Sequence, residues 1–404
     1  MKLPFRKALF WVHLVAGVVA GLVVALMSFT GVALAFKPQI MAWGAEQTLV
    51  APPPSAGARR LPLEDVLARV RTAVPALRPT AISVYAQPDT PVLVTADKHT
   101  SFHVHAYTGE VLGQIAPGWS GFFQVMEEWH RWLGRTGDQR DAGRAITGVS
   151  NAAFLVLAVT GLYLWWPRKW TWRSVRQSVW FQRRLVGKAR DWNWHNTIGL
   201  WTAPVLVVLT ATGMVISYKW ASNLVYTLTG SEPPQQAPLT IAPPSPAAKP
   251  LAMDALLDAA KPLAPPWERL TLRLPEPPKS KGGTPPAEAT PEPVRITVRE
   301  PDPWPRFFSP QLTLDPYTGA LLAREEFADY SVGHQVRRWM RFLHTGEALG
   351  VGGQLVAALA SLGALFLVWT GLALALRRFA RWRKRRADDA DTSEASLDTP
   401  GDAA

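Results

Sequence analysis

Four runs of the chain carry no Asp, Glu, Lys or Arg: Ala8 to Phe36, Ala145 to Pro167, Trp192 to Tyr218 and Ala348 to Leu376. A helix needs roughly 20 such residues to cross the hydrocarbon of a bilayer, so the pattern predicts four transmembrane helices at 8–36, 145–167, 192–218 and 348–376. Between them the period changes. In 37–144, Leu63, Val66, Leu67 and Val70 recur at helical spacing up to Pro75. Short β-type runs follow at Ile82–Tyr85, Val92–Thr95 and Phe102–Ala106, and Tyr107-Thr108-Gly109 turns into Val111-Leu112. In 219–347 the same order returns. Met253, Leu256, Leu257 and Ala260 mark a helix, Leu270–Leu274 and Val294–Arg299 strands, and Leu312–Asp315 leads through Pro316-Tyr317-Thr318-Gly319 into Leu321-Leu322. Each segment reads as a small α+β lobe. Pro-rich inserts at about 232–250 and 275–293 read as loops enlarging the second.

Spacing inside the spans repeats as well. His13 to Thr30-Gly31 and His195 to Thr212-Gly213 are both 17 residues, and Thr108 to Thr160 and Thr318 to Thr370 are both 52. Gly17 and Gly199 each follow a span histidine by four. The chain is therefore expected to be an internal duplication, giving an α-helical membrane protein with a four-helix bundle and two lobes on one side.

Charge orients it. Lys2, Arg6 and Lys7, eight basic residues from Arg168 to Arg190 and seven from Arg377 to Arg386 make 18 of the 43 Lys and Arg. The positive-inside rule puts both termini and the 168–191 loop, with the 377–404 tail, in the cytoplasm. The net charge of +12 then reports topology and no nucleic-acid partner. Ala33-Leu34-Ala35 resembles a signal-peptidase site, but about 25 apolar residues precede it, too many for a signal peptide, so an uncleaved anchor that keeps His13 is expected. Both halves enter from one side, which makes the repeat parallel, with its axis along the membrane normal.

The absence of cysteine excludes disulfides, iron–sulfur clusters, thiolate zinc and covalently attached haem. Eight histidines remain. His13 and His195 fall at one depth near the cytoplasmic ends of spans 1 and 3, without an acidic partner in any span; imidazoles so placed are costly and point to function. His130 and His344 form a second equivalent pair, each four residues after a Met, although the polar run Arg131–Arg144 separates His130 from span 2. His334 is a rival to His344. Opposed imidazoles in an apolar bundle suit axial ligation of b-type haem, one at each level, better than zinc with its four ligands. Trp11, Trp192, Trp194 and Trp201 inside, and Trp129, Trp132, Trp339 and Phe342 outside, would pack on porphyrin or form an interfacial belt. Arg131, Arg337, Arg338 and Arg341 would meet propionates or water. His103 and His105, with His99 nearby, would share one strand face as a chelate site does, or simply mark an exposed His-rich strand.

The Tyr-Thr-Gly turns resemble the ends of PepSY domains. With His130-Arg131-Trp132-Leu133, Leu343-His344-Thr345-Gly346 and Thr-Gly-Leu near span ends, residues 5–380 resemble the PepSY-associated transmembrane family, which includes ferric-siderophore reductases of bacterial inner membranes. The resemblance implies two PepSY lobes in the periplasm and two haem b groups on His13, His195, His130 and His344. It also implies an oxidoreductase that delivers electrons to a ferric siderophore or other ferric chelate. With no G-x-G-x-x-G, the donor is expected to be quinol or a cytoplasmic or membrane reductase. The competing expectation is a PepSY peptide-binding or protease-regulating anchor without redox activity; another is a proton-coupled transporter using the histidines as a relay.

Overall fold

A computed structural model describes residues 2–397 apart from 47–49, 168–169, 236–240, 242, 246–247, 265 and 276–291. Most of the second Pro-rich insert and part of the first lie outside the described residues, as does 398–404 of the C-terminal tail. In chain order the helices are α1 (Lys2–Leu34), α2 (Lys37–Ala45), α3 (Leu63–Ala73), α4 (Pro117–Trp132), α5 (Arg140–Trp165), α6 (Trp172–Val179), α7 (Gly187–Ser217), α8 (Lys219–Leu228), α9 (Met253–Ala260), α10 (Val332–Thr345) and α11 (Gly350–Leu397). The strands are β1 (Ala81–Tyr85), β2 (Val92–Thr95), β3 (Ser101–Val104), β4 (Val111–Gln114), β5 (Arg269–Arg273), β6 (Val294–Arg299), β7 (Gln311–Leu314) and β8 (Leu321–Glu325).

The chain forms two compact units. The first comprises 1–35, 126–222 and 343–404. Its helices α1, α5, α7 and α11 are each long and apolar enough to cross a membrane. They close a ring in which α1 packs on α5 and α11, and α7 packs on the same two. Consequently α1 and α7 face each other across the bundle, and side chains from both reach its centre. α11 runs on past Leu376 through a stretch rich in Arg and Ala, good helix formers, with no Gly or Pro.

The second unit comprises 36–125 and 223–342. The expected elements form, but not as two separate sheets. All eight strands make one antiparallel sheet, ordered β4-β3-β2-β1-β5-β6-β7-β8. The join is β1 against β5, centred on Ser83 opposite Thr271, whose hydroxyls hydrogen-bond at 2.8 Å. In two separate lobes β1 and β5 would both be exposed edges; pairing them removes both. Alternate residues Ile82, Val84, Val92, Val94, Leu270, Leu272, Ile296, Val298, Leu312 and Leu314 share one apolar core with Val66, Val70, Leu256 and Leu257 of α3 and α9. The two helices cap each other: Asp254 accepts from the Leu63 N–H at 2.8 Å and Glu64 from the Met253 N–H at 2.7 Å.

The β1–β4 and β5–β8 parts of the sheet also share irregularities. The β3/β4 register slips at His103/Val104 and the β7/β8 register at Thr313/Leu314. His105 Nδ1 accepts from the N–H groups of Tyr107 and Thr108, both at 3.2 Å, and Asp315 Oδ1 does the same for Tyr317 and Thr318 at 2.8 and 3.0 Å.

Candidate functional site

Across the bundle, the rings of His13 on α1 and His195 on α7 lie 6.3 Å apart, centre to centre, with their planes at 85°. The rings of His130, at the end of α4, and His344, at the end of α10, also lie 6.3 Å apart, with planes at 61°. All four residues belong to the first unit. One histidine of each half meets one of the other, as the equivalence in spacing predicts.

Each ring is held by a buried threonine. His13 Nδ1 lies 3.0 Å from Thr160 Oγ1 and His195 Nδ1 3.0 Å from Thr370 Oγ1. His130 Nδ1 lies 3.0 Å from Thr30 Oγ1 and His344 Nδ1 3.2 Å from Thr212 Oγ1. These hydroxyls donate their own protons to the carbonyl four residues back: Thr160 to Val156 at 2.6 Å, Thr370 to Phe366 at 2.7 Å, Thr30 to Leu26 at 2.8 Å and Thr212 to Val208 at 2.6 Å. With its proton committed, the oxygen can only accept, so the imidazole donates Nδ1–H and carries its free lone pair on Nε2. His130 and His344 are fixed a second time, donating to the carbonyls of Met27 at 3.0 Å and Leu209 at 2.8 Å.

A glycine follows every one of these threonines. A Cβ on Gly161 or Gly371 would come within 3.3 Å of Cε1 of His13 or His195, and one on Gly213 within 3.2 Å of His344 Cε1; at Gly31 the distance to His130 is 3.7 Å. Thus Thr-Gly is one recognition element used four times, the threonine orienting a ring and the glycine leaving room for it. The sequence displays these pairs as repeat markers. Their role is invisible there, because each partners a histidine 100 or more residues away.

The paired Nε2 atoms fit a metal ion bound between them. Two metal–nitrogen bonds of about 2.0 Å, plus about 1.15 Å from each nitrogen to its ring centre, give about 6.3 Å. A cavity of about 890 Å³ surrounds the His13/His195 pair, within the roughly 300–1,000 Å³ of cofactor sites. Gly17, Gly21 and Gly199 line it, along with leucines and valines of all four long helices. Arg6, Lys7, Lys188, Arg378 and Arg381 also line it, with no acidic residue among the described lining residues. A flat apolar ligand that carries carboxylates matches that lining. Arg6 also donates to the C-terminal carbonyls of α5, at 2.6 Å to Leu164. One turn before His195, the carboxylate of Asp191 is buried and ion-paired with Arg190 at 2.9 Å and Arg377 at 2.8 Å, which ties α7 to α11.

Other candidates are placed differently. Of Trp11, Trp192, Trp194 and Trp201, Trp192 lines the cavity, while Trp11 and Trp201 are exposed as belt residues are. Trp194 packs against Phe181, Phe366 and Trp369. Arg131 lies over Trp132, Arg338 over Phe308 and Tyr330, and Arg341 over Phe342. In the second unit His334 stacks on Tyr330 at 4.0 Å, and burial, then the Arg338 guanidinium, push its pKa down. His103 is buried rather than exposed, and β3 ends at Val104, so the alternation that would align His105 with it does not hold. His105 is committed to the turn, and the His99 carbonyl accepts from Ser120 Oγ. No cluster of three or more His, Asp or Glu suited to a metal occurs among the described residues.

The sequence profile of the family described as PepSY-associated TM region matches residues 10–378. No curated protein matches the chain.

Proposed function

The chain belongs to the PepSY-associated TM family, and within it we propose a di-haem electron carrier of the bacterial inner membrane that reduces a periplasmic ferric chelate of the siderophore kind. The observation that carries this reading is the pair of facing imidazole couples, each 6.3 Å across. Haem b would be held by one imidazole couple at each level and would supply a one-electron ferric/ferrous couple suited to electron transfer. Everything else is work done by the chain. The threonines hold each imidazole in the Nδ1–H tautomer with Nε2 inward, as outer partners of metal-bound histidines do. Arg6, Lys7, Lys188, Arg378 and Arg381, which line the cavity, are suited to propionates. The apolar helices keep water from the centre.

Depth supports a path across the bilayer. On α1, His13 and the Thr30 that holds His130 are 17 residues apart, about 25 Å along a helix at 1.5 Å per residue. The matched sheet halves and matched histidine spacings are best read as an internal duplication carrying two PepSY lobes fused edge to edge. Clustered Lys and Arg favour cytoplasmic termini, with the sheet in the periplasm. Ferric iron in a hard oxygen chelate is the substrate; reduction weakens its hold and frees it. The donor is quinol or a partner reductase.

Proteoliposomes loaded with a reductant and given an external ferric chelate and a ferrous-specific chromophore test the reading. Ferrous iron should form outside with wild type and not with His13→Ala or His344→Ala. Equal rates in wild type and both variants would overturn it, leaving a peptide-binding anchor.

A further inference from the structure

The segment between α5 and α7 alternates aromatic and basic residues: Trp170, Trp172, Arg173, Arg176, Trp180, Phe181, Arg183 and Arg184. Their side chains are all exposed. Yet the backbone beneath them is tied down. Asn193, itself buried, donates to the carbonyls of Gln177 at 2.8 Å and Trp180 at 3.1 Å and accepts from the Gln182 N–H at 2.9 Å. Trp165 Nε1 donates to Ser178 O at 3.3 Å and Trp201 Nε1 to Val179 O at 3.0 Å. The bond to Trp201 sets depth. That residue lies nine positions inside the charge-free run that begins at Trp192, about 13 Å along the helix. The end of α6 therefore folds back beside the charge-free part of α7, which on the membrane reading is the level where headgroups give way to acyl chains.

There an open groove of about 480 Å³ is lined by Arg176, Trp180, Phe181, Gln182, Arg183 and Arg184. The three guanidiniums have no carboxylate within ion-pairing distance among the described residues; the nearby Asp191 is taken by Arg190 and Arg377. Three unneutralised guanidiniums lining one groove call for an anion with several oxygens. Trp180 and Phe181 beside them call for hydrocarbon. We infer that this groove binds the headgroup of an anionic phospholipid, its phosphate on the arginines and its upper acyl chain along Trp180 and Phe181. The inference rests on the membrane reading of the four helices and not on haem.

Titration of the purified full chain with phosphatidylglycerol or phosphatidylcholine, followed by native mass spectrometry, tests it. Wild type should retain phosphatidylglycerol and not phosphatidylcholine. Replacing Arg176, Arg183 and Arg184 together by Gln should weaken retention by about tenfold or more, given the attraction each cation adds near an anionic surface. The same three changed to Lys should keep part of it, and Arg383→Gln/Lys384→Gln/Arg385→Gln in the tail should change nothing. Circular dichroism checks that each variant is folded. Equal retention of the two lipids, undiminished phosphatidylglycerol in the folded triple Gln variant, equal loss in the tail variant, or displacement by millimolar inorganic phosphate would each overturn the inference.

Discussion

Thr160→Val replaces the hydroxyl that orients His13 with a methyl of nearly the same size. In the native chain His13 Nδ1 donates to Thr160 Oγ1 at 3.0 Å; the variant removes that acceptor. Leaving a buried donor unpaired costs about 1–3 kcal/mol. Loss of an outer partner of a metal-bound histidine weakens binding by about 10–100-fold, which is the same energy. Thr30→Val removes the matching hydroxyl from His130, but the Met27 carbonyl at 3.0 Å still accepts its Nδ1–H. The cost there should stay under about 1 kcal/mol, or about fivefold. Haem transfer to excess apomyoglobin, followed in the Soret band, measures both. In Thr160→Val the phase belonging to the inner site should accelerate about 10–100-fold, and Thr160→Ser, which keeps the oxygen, should restore it. Transfer from Thr160→Val within twofold of wild type, with Thr30→Val the more damaged, would refute the claim that the threonines set the tautomer.

Other expectations follow from the same geometry. His13→Ala and His195→Ala should each abolish one haem, and the same one, in a redox titration, while His130→Ala and His344→Ala abolish the other; loss of the outer haem in His334→Ala but not His344→Ala would reassign that ligand. Gly161→Val should displace the His13 ring, since even a Cβ there comes within 3.3 Å of it, and halve the haem content; unchanged content would show that the ring has room to spare. Asp254→Ala should lower the stability of the sheet unit by about 1 kcal/mol through loss of a helix cap, read in denaturant, with no change in the visible spectrum.

Much of this was legible before any coordinates. Charge-free runs locate the long helices because nothing in hydrocarbon can satisfy a charged side chain cheaply. Period-two runs locate the strands to within two or three residues. The pairing of His13 with His195 was expected from equal intervals read together with the charge-based orientation, and their rings do lie 6.3 Å apart. What stayed hidden was long-range. No local signal joins Ala81–Tyr85 to Arg269–Arg273, since a strand of either lobe looks the same whether its edge is free or paired. The Thr-Gly pairs looked like markers because their partners come from distant helices. Helices α4 and α10 were masked by their charged faces, although the Met-x3-His spacing they carry is helical. His105, which read with His103 as a chelate pair or part of an exposed His-rich strand, serves as a turn cap, as Asp315 does in the β7–β8 turn.

The most direct test is the absorption spectrum of the full-length protein purified from haem-replete cells, oxidised and then reduced with dithionite, with haem counted against protein by pyridine haemochrome. The account predicts low-spin, six-coordinate haem b, two per chain, falling to one in His195→Ala. A folded, colourless protein, or one whose haem content is indifferent to His195, would contradict it.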